Sequence, residues 1–246
     1  MSFWSKLKSV AKRVVRAVKA VVRAVIRIAV IVLTSWTKAL DLVFGWVGWP
    51  PKRLKVHIAV LTGPSGPLIT DLNTLRPAID VLKQTLKDRC NVKVLPYSSG
   101  NKNEIDNWVQ VVTEVAPTAA LKVRCDFGAL WDEGGEAGEF FARHTAGWVG
   151  IPISLAFPIT VFIVEEVHDK LGCAVLVLTD YCIVNAGAIF DKGNSVMAHE
   201  CAHRCNLWHV SQKVNLLNPD REKPPFWLHW WQRNLLRASR HVTYLF

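Results

Sequence analysis

From Trp4 to Phe44 the chain runs without proline or glycine, and its polar and apolar positions separate with a helical period. Lys8, Lys12, Arg16, Lys19, Arg23 and Arg27 recur every three or four residues, and Thr34, Thr37, Lys38 and Asp41 continue that side. Leu7, Val14, Val18, Val21, Val25, Val32, Trp36 and Val43 fall opposite. The spacing predicts one long amphipathic helix with a cationic face, about 60 Å long at 1.5 Å per residue. Gly45, Gly48 and the Pro50-Pro51 pair end it. Glycine and proline in that arrangement predict a hinge over 50–53, between an arm at 1–49 and a domain at 54–246.

Downstream the periodicity changes. "LKVHIAVLT" (54–62) reads as a buried strand, "ITDLNTLRPAIDVLKQTLKDRC" (69–90) as a helix and "NVKVLPY" (91–97) as a second strand. Together they form a β-α-β unit of the kind that builds parallel pairing. After the polar loop "SSGNKNE", the pattern predicts a helix over 105–115, a third strand at "ALKVRCDFGAL" (120–130) and a short helix at "EAGEFFARHT" (136–145). Two strongly apolar segments follow, "ITVFIVEEV" (159–167) and "CAVLVLT" (173–179). "YCIVNAGAIF" (181–190) then leads, as a strand, into a histidine-rich helix. The order predicts an α/β fold: a mixed twisted sheet with packed helices, preceded by the long N-terminal amphipathic helix.

Charge sharpens the division. The chain has 246 residues and a formal net charge of +10. Residues 1–53 hold eleven Lys/Arg and one acid, Asp41, while the remainder is balanced. The arm therefore points to an anionic surface. Its longest uncharged run within the helix, Ile28 to Thr37, is ten residues, half of what a membrane span needs. A basic, valine-rich, Trp-flanked helix fits the interface of an anionic membrane, with residues 4–44 lying on the surface. Insertion, a partner-protein groove and self-assembly are the alternatives. The apolar face is too broad for a phosphate-binding arm, which argues against nucleic acid. On this reading the protein is membrane-associated. The positive stretch is too long for an ordinary secretory signal.

Six cysteines (Cys90, Cys125, Cys173, Cys182, Cys201 and Cys205) lack the spacing of a small disulfide scaffold, and buried free thiols are the expectation.

The chemistry concentrates in "MAHECAHRCNLWHVSQKVNLLNPD", residues 197–220. His199 and His203 are four apart, so both imidazoles project from one helical face. That pair suits Zn2+, and the adjacent Glu200 can act as general base on a metal-bound water. His209 lies too far along for a continuing helix. Asn206, a residue type that accepts a left-handed conformation, can end the helix and bring His209 back as third ligand. By the same helical wheel, Cys201 and Cys205 point away from the histidine face into the core.

The stretch "HECAHRCNLWH" resembles the metzincin clan of zinc peptidases, whose signature is H-E-x-x-H-x-x-G-x-x-H. Asn206 stands at the turn glycine. In "NLLNP", Leu217 stands where the clan has the methionine of its Met-turn, and Pro219 where some members carry a tyrosine. The resemblance implies one catalytic zinc, a protein or peptide substrate, and a metzincin-like zinc metalloendopeptidase activity. It also implies a sheet edge that pairs with extended substrate, placed at Ile183, Val184, Asn185, Ala186 and Gly187, with residues 210–217 walling the pocket beyond. The rival reading is a membrane-active or assembly protein whose metal domain is degenerate or structural. A structural zinc site would need a fourth protein ligand.

Overall fold

Alternation along strand β1 (Lys52–Thr62) sends Leu54, Val56, Ile58 and Val60 into one core and Ala59 and Leu61 into another. A strand apolar on both faces must be covered on both, and β1 is the centre of such a sheet. The computed structural model describes residues 35–64, 68–98, 104–125, 137–146, 157–174 and 179–244, together with Val25. Within them, β2 (Val92–Pro96) and β3 (Val109–Val115) run parallel to the first and second parts of β1. On its other side lies β5 (Ile159–Val164), also parallel, followed by β8 (Tyr181–Asn185). Two short strands run antiparallel: β7 (Gly172–Cys173) on β8, and β9 (Val242–Thr243) on β1. A separate pair joins β4 (Lys122–Val123) to β6 (Glu166–Val167). The sheet is mixed and mostly parallel, as expected.

Among the described residues, five helices are eight residues or longer: α1 (Ser35–Phe44), α2 (Arg76–Cys90), α3 (Ala137–His144), α4 (Val196–Arg204) and α5 (Trp230–Arg237). On one sheet face, Leu82 and Leu86 of α2, Ala198 and Cys201 of α4, and Leu236 of α5 join the larger core. Phe140 and Phe141 of α3 close the other face, where the Phe141 ring packs tilted against Phe162 with centroids 4.7 Å apart. Helix α2 begins about two turns later than the pattern over 69–90 suggests, after a 3-10 turn at Leu72–Leu75. Asn91, left-handed at φ 49°, stops it.

Three expectations need correction. Residues 105–115 are not a helix: a 3-10 turn at Glu104–Asn107 leads into β3. The valines there are stiff at χ1 and suit a strand, and Ile58 N donates to Trp108 O at 2.9 Å, which draws the segment onto β1. The strand expected over 120–130 shrinks to β4 after a helical turn at Thr118–Leu121, with 126–130 outside the described residues. Of the expected free thiols, Cys90, Cys182, Cys201 and Cys205 are free and buried, but Cys125 and Cys173 form a disulfide. They lie 48 residues apart and meet because β4 pairs with β6 while β7 folds back on β8.

Most of the helix expected over 4–44 lies outside the described residues. Its end is helical as α1, followed by a 3-10 turn at Gly45–Val47 and Gly48 at φ 73°. Among the described residues no helix is long and apolar enough to cross a membrane. The segment 50–53 is no free hinge. Lys52 already belongs to β1, and its ammonium is buried against Asp41 of α1 and donates to Arg237 O at 2.7 Å. Arg237, also fully buried, reaches Asp41 Oδ1 through Nε at 3.4 Å and donates through Nη2 to Pro50 O at 2.6 Å. Tyr244 Oη completes the cluster with a bond to Asp41 Oδ1 at 3.1 Å. Residues 41–53 are therefore built into the domain expected to start at 54.

Candidate metal centre

Helix α4 sits on the larger core, and its sequence divides cleanly. Ala198, Cys201, Ala202 and Cys205 are fully buried there, while His199 and His203 share the side that meets His209. The chain reaches this helix through a sharp turn, with Lys192, Gly193 and Asn194 all at positive φ. Ser195 Oγ donates to Lys192 O at 2.7 Å and fixes the first turn. The helix stops at Arg204. Asn206 adopts φ 67°, and Leu207 N reaches back to Ala202 O at 3.2 Å. This is the left-handed turn expected of Asn206, and it returns His209 to the other two rings.

The three Nε2 atoms converge: His199 to His203 at 3.0 Å, His203 to His209 at 3.1 Å and His199 to His209 at 3.2 Å. Among the described residues these three form the one cluster able to hold a metal ion. His199 Nδ1 donates to Leu216 O at 2.7 Å and His203 Nδ1 to Leu207 O at 2.8 Å. A carbonyl takes only a proton donor, so both rings carry hydrogen on Nδ1 and turn an unprotonated Nε2 inward. Burial, above all, keeps these rings neutral, lowering His199 to about 2 and His203 to about 4, and it lowers His209 as well. Lone pairs facing one another at this range repel unless a cation lies between them. Ligands about 2.0–2.1 Å from a tetrahedral zinc stand roughly 3.3 Å apart, so the donor set fits that ion.

The carbonyl that orients His199 comes from a turn tied down on several sides. Asn215 Oδ1 accepts from Leu217 N at 2.9 Å, and Asn215 Nδ2 donates to Gln232 Oε1 on α5 at 2.8 Å. Val210 N donates to Leu217 O at 3.3 Å, linking the turn to the segment that carries His209. Leu217, at the expected methionine position, is fully buried in the larger core. Pro219 is exposed and offers no ligand.

Glu200 is buried beside the cluster, and burial pushes its carboxyl up to about 8 against the pull of Arg221, Arg204 and Lys170. Two neighbours escaped the sequence reading. A Cβ at Gly172 would stand 2.9 Å from Glu200 Cγ and 3.1 Å from Oε1, so only glycine lets β7 lie this close to the carboxylate. Arg221 is buried, donating through Nε to Ser195 Oγ at 2.6 Å and through Nη1 to Asn218 O at 3.3 Å. It is the largest positive influence on Glu200. In sequence, the hint was a glycine immediately before the apolar segment 173–179; Arg221 had none beyond its place just after the turn.

The expected substrate edge is displaced. Ile183 and Val184 are fully buried, held between β5 on one side and β7 on the other. Asn185 N donates to Leu171 O at 3.0 Å, and Ala186 and Gly187 belong to a 3-10 turn in which Asn185 Oδ1 accepts from Gly187 N at 2.9 Å. The last strand of the sheet on this side is β7. A hairpin-like return at 166–173 covers β8, and the sequence offered no turn signature strong enough to foretell it.

No family model matches the sequence, and no curated protein matches it. Solved structures similar to the chain include archaemetzincin from Methanopyrus kandleri, 14% identical over 76% of this chain and 95% of that one, with a TM-score of 0.46. Metalloproteinase-II from Bacteroides fragilis is 14% identical over 77% of this chain and 54% of its own, TM-score 0.46. OgpA from Akkermansia muciniphila is 16% identical over 79% and 63%, TM-score 0.48. The geometry of the site itself carries the functional reading.

Proposed function

We propose that the chain is a zinc-dependent metalloendopeptidase of metzincin type, attached to anionic membranes by its cationic N-terminal segment. The carrying observation is the convergence of three histidine Nε2 atoms, two of them with the proton held on Nδ1, beside a buried carboxyl. His199, His203 and His209 would hold one zinc. Three protein ligands, with no fourth among the described residues, leave a position open, which favours catalysis over a closed structural site. When bound, zinc supplies an acidified water and a Lewis acid for the peptide carbonyl.

The chain's own residues supply the rest. The Leu216 and Leu207 carbonyls fix the ring orientations of His199 and His203. Burial raises the proton affinity of Glu200; as the carboxylate, which the charges of Arg221, Arg204 and Lys170 favour, it would take a proton from the attacking water and return it to the leaving amine. Gly172 keeps β7 against that carboxylate, and an extended substrate would meet the sheet at β7 rather than at β8. Arg221 holds the turn that follows the site to the start of α4 through Ser195.

The test is hydrolysis of a casein-like substrate by the intact protein and by Glu200→Gln. Loss of a positioned base costs roughly 10²–10⁴-fold in rate. A Glu200→Gln protein as fast as the parent would refute the role of Glu200. A parent that hydrolyses no peptide, though loaded with zinc, would favour the degenerate alternative. The membrane component is supported by the charge excess of residues 1–53 and by the amphipathic pattern over 4–44.

A further inference from the structure

The face of α1 that would ordinarily enter a core points outward. Leu40, Val43, Phe44 and Val47 follow the i, i+3, i+4, i+7 spacing of a single stripe, and each is at least half exposed. Trp46 and Trp49 extend the surface, with Trp49 75% exposed. The polar side faces inward instead. Asp41 is buried against Lys52 and Arg237, and Gly45 sits so close to Asn234 that a Cβ would stand 3.1 Å from its Cα. Lys38 is half-buried on the same side, its ammonium lowered to about 8 by burial and by the charges of Lys52 and Arg240.

This inverted helix is not loosely attached. Asn234 Nδ2 donates to Leu42 O at 2.7 Å, Asn91 Nδ2 to Gly48 O at 2.8 Å and Arg237 Nη2 to Pro50 O at 2.6 Å. The contacts hold the apolar stripe outward as a fixed edge of the domain. Val25, the one residue further upstream that the structure describes, is 59% exposed and lies on the apolar side of the sequence pattern. An apolar surface of this size calls for an apolar environment.

Charge decides which one. The segment leading into the stripe carries nine Lys/Arg before Leu40 and no acid, and Asp41, the single acid of residues 1–53, is already neutralised inside the fold. A second copy meeting this face would bring an equal positive charge against it, whereas an anionic lipid surface supplies the opposite sign. Paired tryptophans at the end of such a helix are suited to the headgroup level. We infer that Leu40, Val43, Phe44, Trp46, Val47 and Trp49 form a membrane-inserting edge of the domain itself. They seat in the headgroup–acyl boundary of an anionic bilayer, with the upstream Lys and Arg at the lipid phosphates. The inference rests on the membrane reading of the arm. It adds that the domain meets the bilayer in one fixed orientation, through residues beyond the cationic repeat.

Two full-length variants separate the inference from the reading beneath it. In Phe44→Ser/Trp46→Ser/Trp49→Ser, partitioning onto phosphatidylcholine vesicles, with or without phosphatidylserine, should fall roughly tenfold or more. The preference for anionic vesicles and the thermal unfolding should stay as in the parent. In Arg16→Gln/Lys19→Gln/Arg23→Gln/Arg27→Gln the anionic preference should instead disappear. A nitroxide on Val47→Cys should become accessible to oxygen and shielded from a water-soluble relaxant when anionic vesicles are added. If the aromatic variant binds like the parent and the label stays in water, the inserting edge is overturned, while loss of preference in the charge variant keeps the arm reading alive. If the parent binds no vesicles, both fall. If the aromatic variant instead converts a dimer to a monomer without lipid, a second copy is the occupant and the bilayer is excluded.

Discussion

Helix α4 turns Ala198, Cys201 and Ala202 into the core and presents His199 and His203 to His209, whereas α1 buries Asp41 and shows Leu40, Val43 and Phe44 to solvent. Both are amphipathic and both bury an acid, but the two acids differ in what surrounds them. In α4 the buried acid, Glu200, has no ion-pair partner at close range among the described residues, and burial drives it toward neutrality. In α1 the acid stands between a lysine and an arginine that are themselves buried. A lone buried carboxyl is costly and reactive; one locked among cations is structural. The period of a helix therefore says which residues share a face, but not which face meets the core.

The first way to break the comparison is to remove Asp41. Asp41→Ala leaves Lys52 and Arg237 buried without their counter-charge and should lower stability by about 3–5 kcal/mol. Chemical denaturation would show it, and Glu200→Gln in the same experiment should show no comparable loss. If the two variants lose equal stability, the division between a structural and a reactive acid fails. The same cluster makes a practical point. A truncation at residue 49 removes Asp41 and should destabilise the domain, whereas one ending before Ser35 leaves the cluster intact.

A smaller effect is expected at the disulfide. Closing a loop of 48 residues stabilises by up to about 4 kcal/mol in the chain-entropy model. The Cys125→Ser/Cys173→Ser variant should lose about 2–4 kcal/mol, with faster amide exchange at β7 than at β1. Uniform exchange across the sheet would show that the bond does not hold β7 in particular. Smaller still is Gly172→Ala. Its methyl would press on Glu200 and on Ile183 O, the latter at 2.8 Å, an overpacking of about 1–3 kcal/mol. Hydrolysis should slow several-fold with zinc content unchanged; an unaffected rate would free Glu200 from dependence on β7.

The metal cluster was legible because everything that forms it lies within eleven residues: a helical i, i+4 pair, a turn residue and the returning histidine. Asn206 could be read because few side chains tolerate positive φ. What stayed hidden depends on distant segments. Cys125 finds Cys173 only through two separate strand pairings, and Gly172 meets Glu200 only because β7 returns along β8. The same return moves the sheet edge away from Ile183 and Val184. Residues 109–115 read as a helix because a short valine-rich run fits either period, and pairing with β1 settled it. Asp41 read only as the one acid on the polar side of the arm, because its partners Lys52 and Arg237 come from β1 and α5.

The zinc reading stands or falls on metal content. Native mass spectrometry of the full-length protein should find about one zinc per chain in the parent and in Glu200→Gln, and none in His203→Ala. A parent that takes up no zinc after reconstitution, or a His203→Ala protein that binds it as tightly as the parent, would contradict the three-histidine centre.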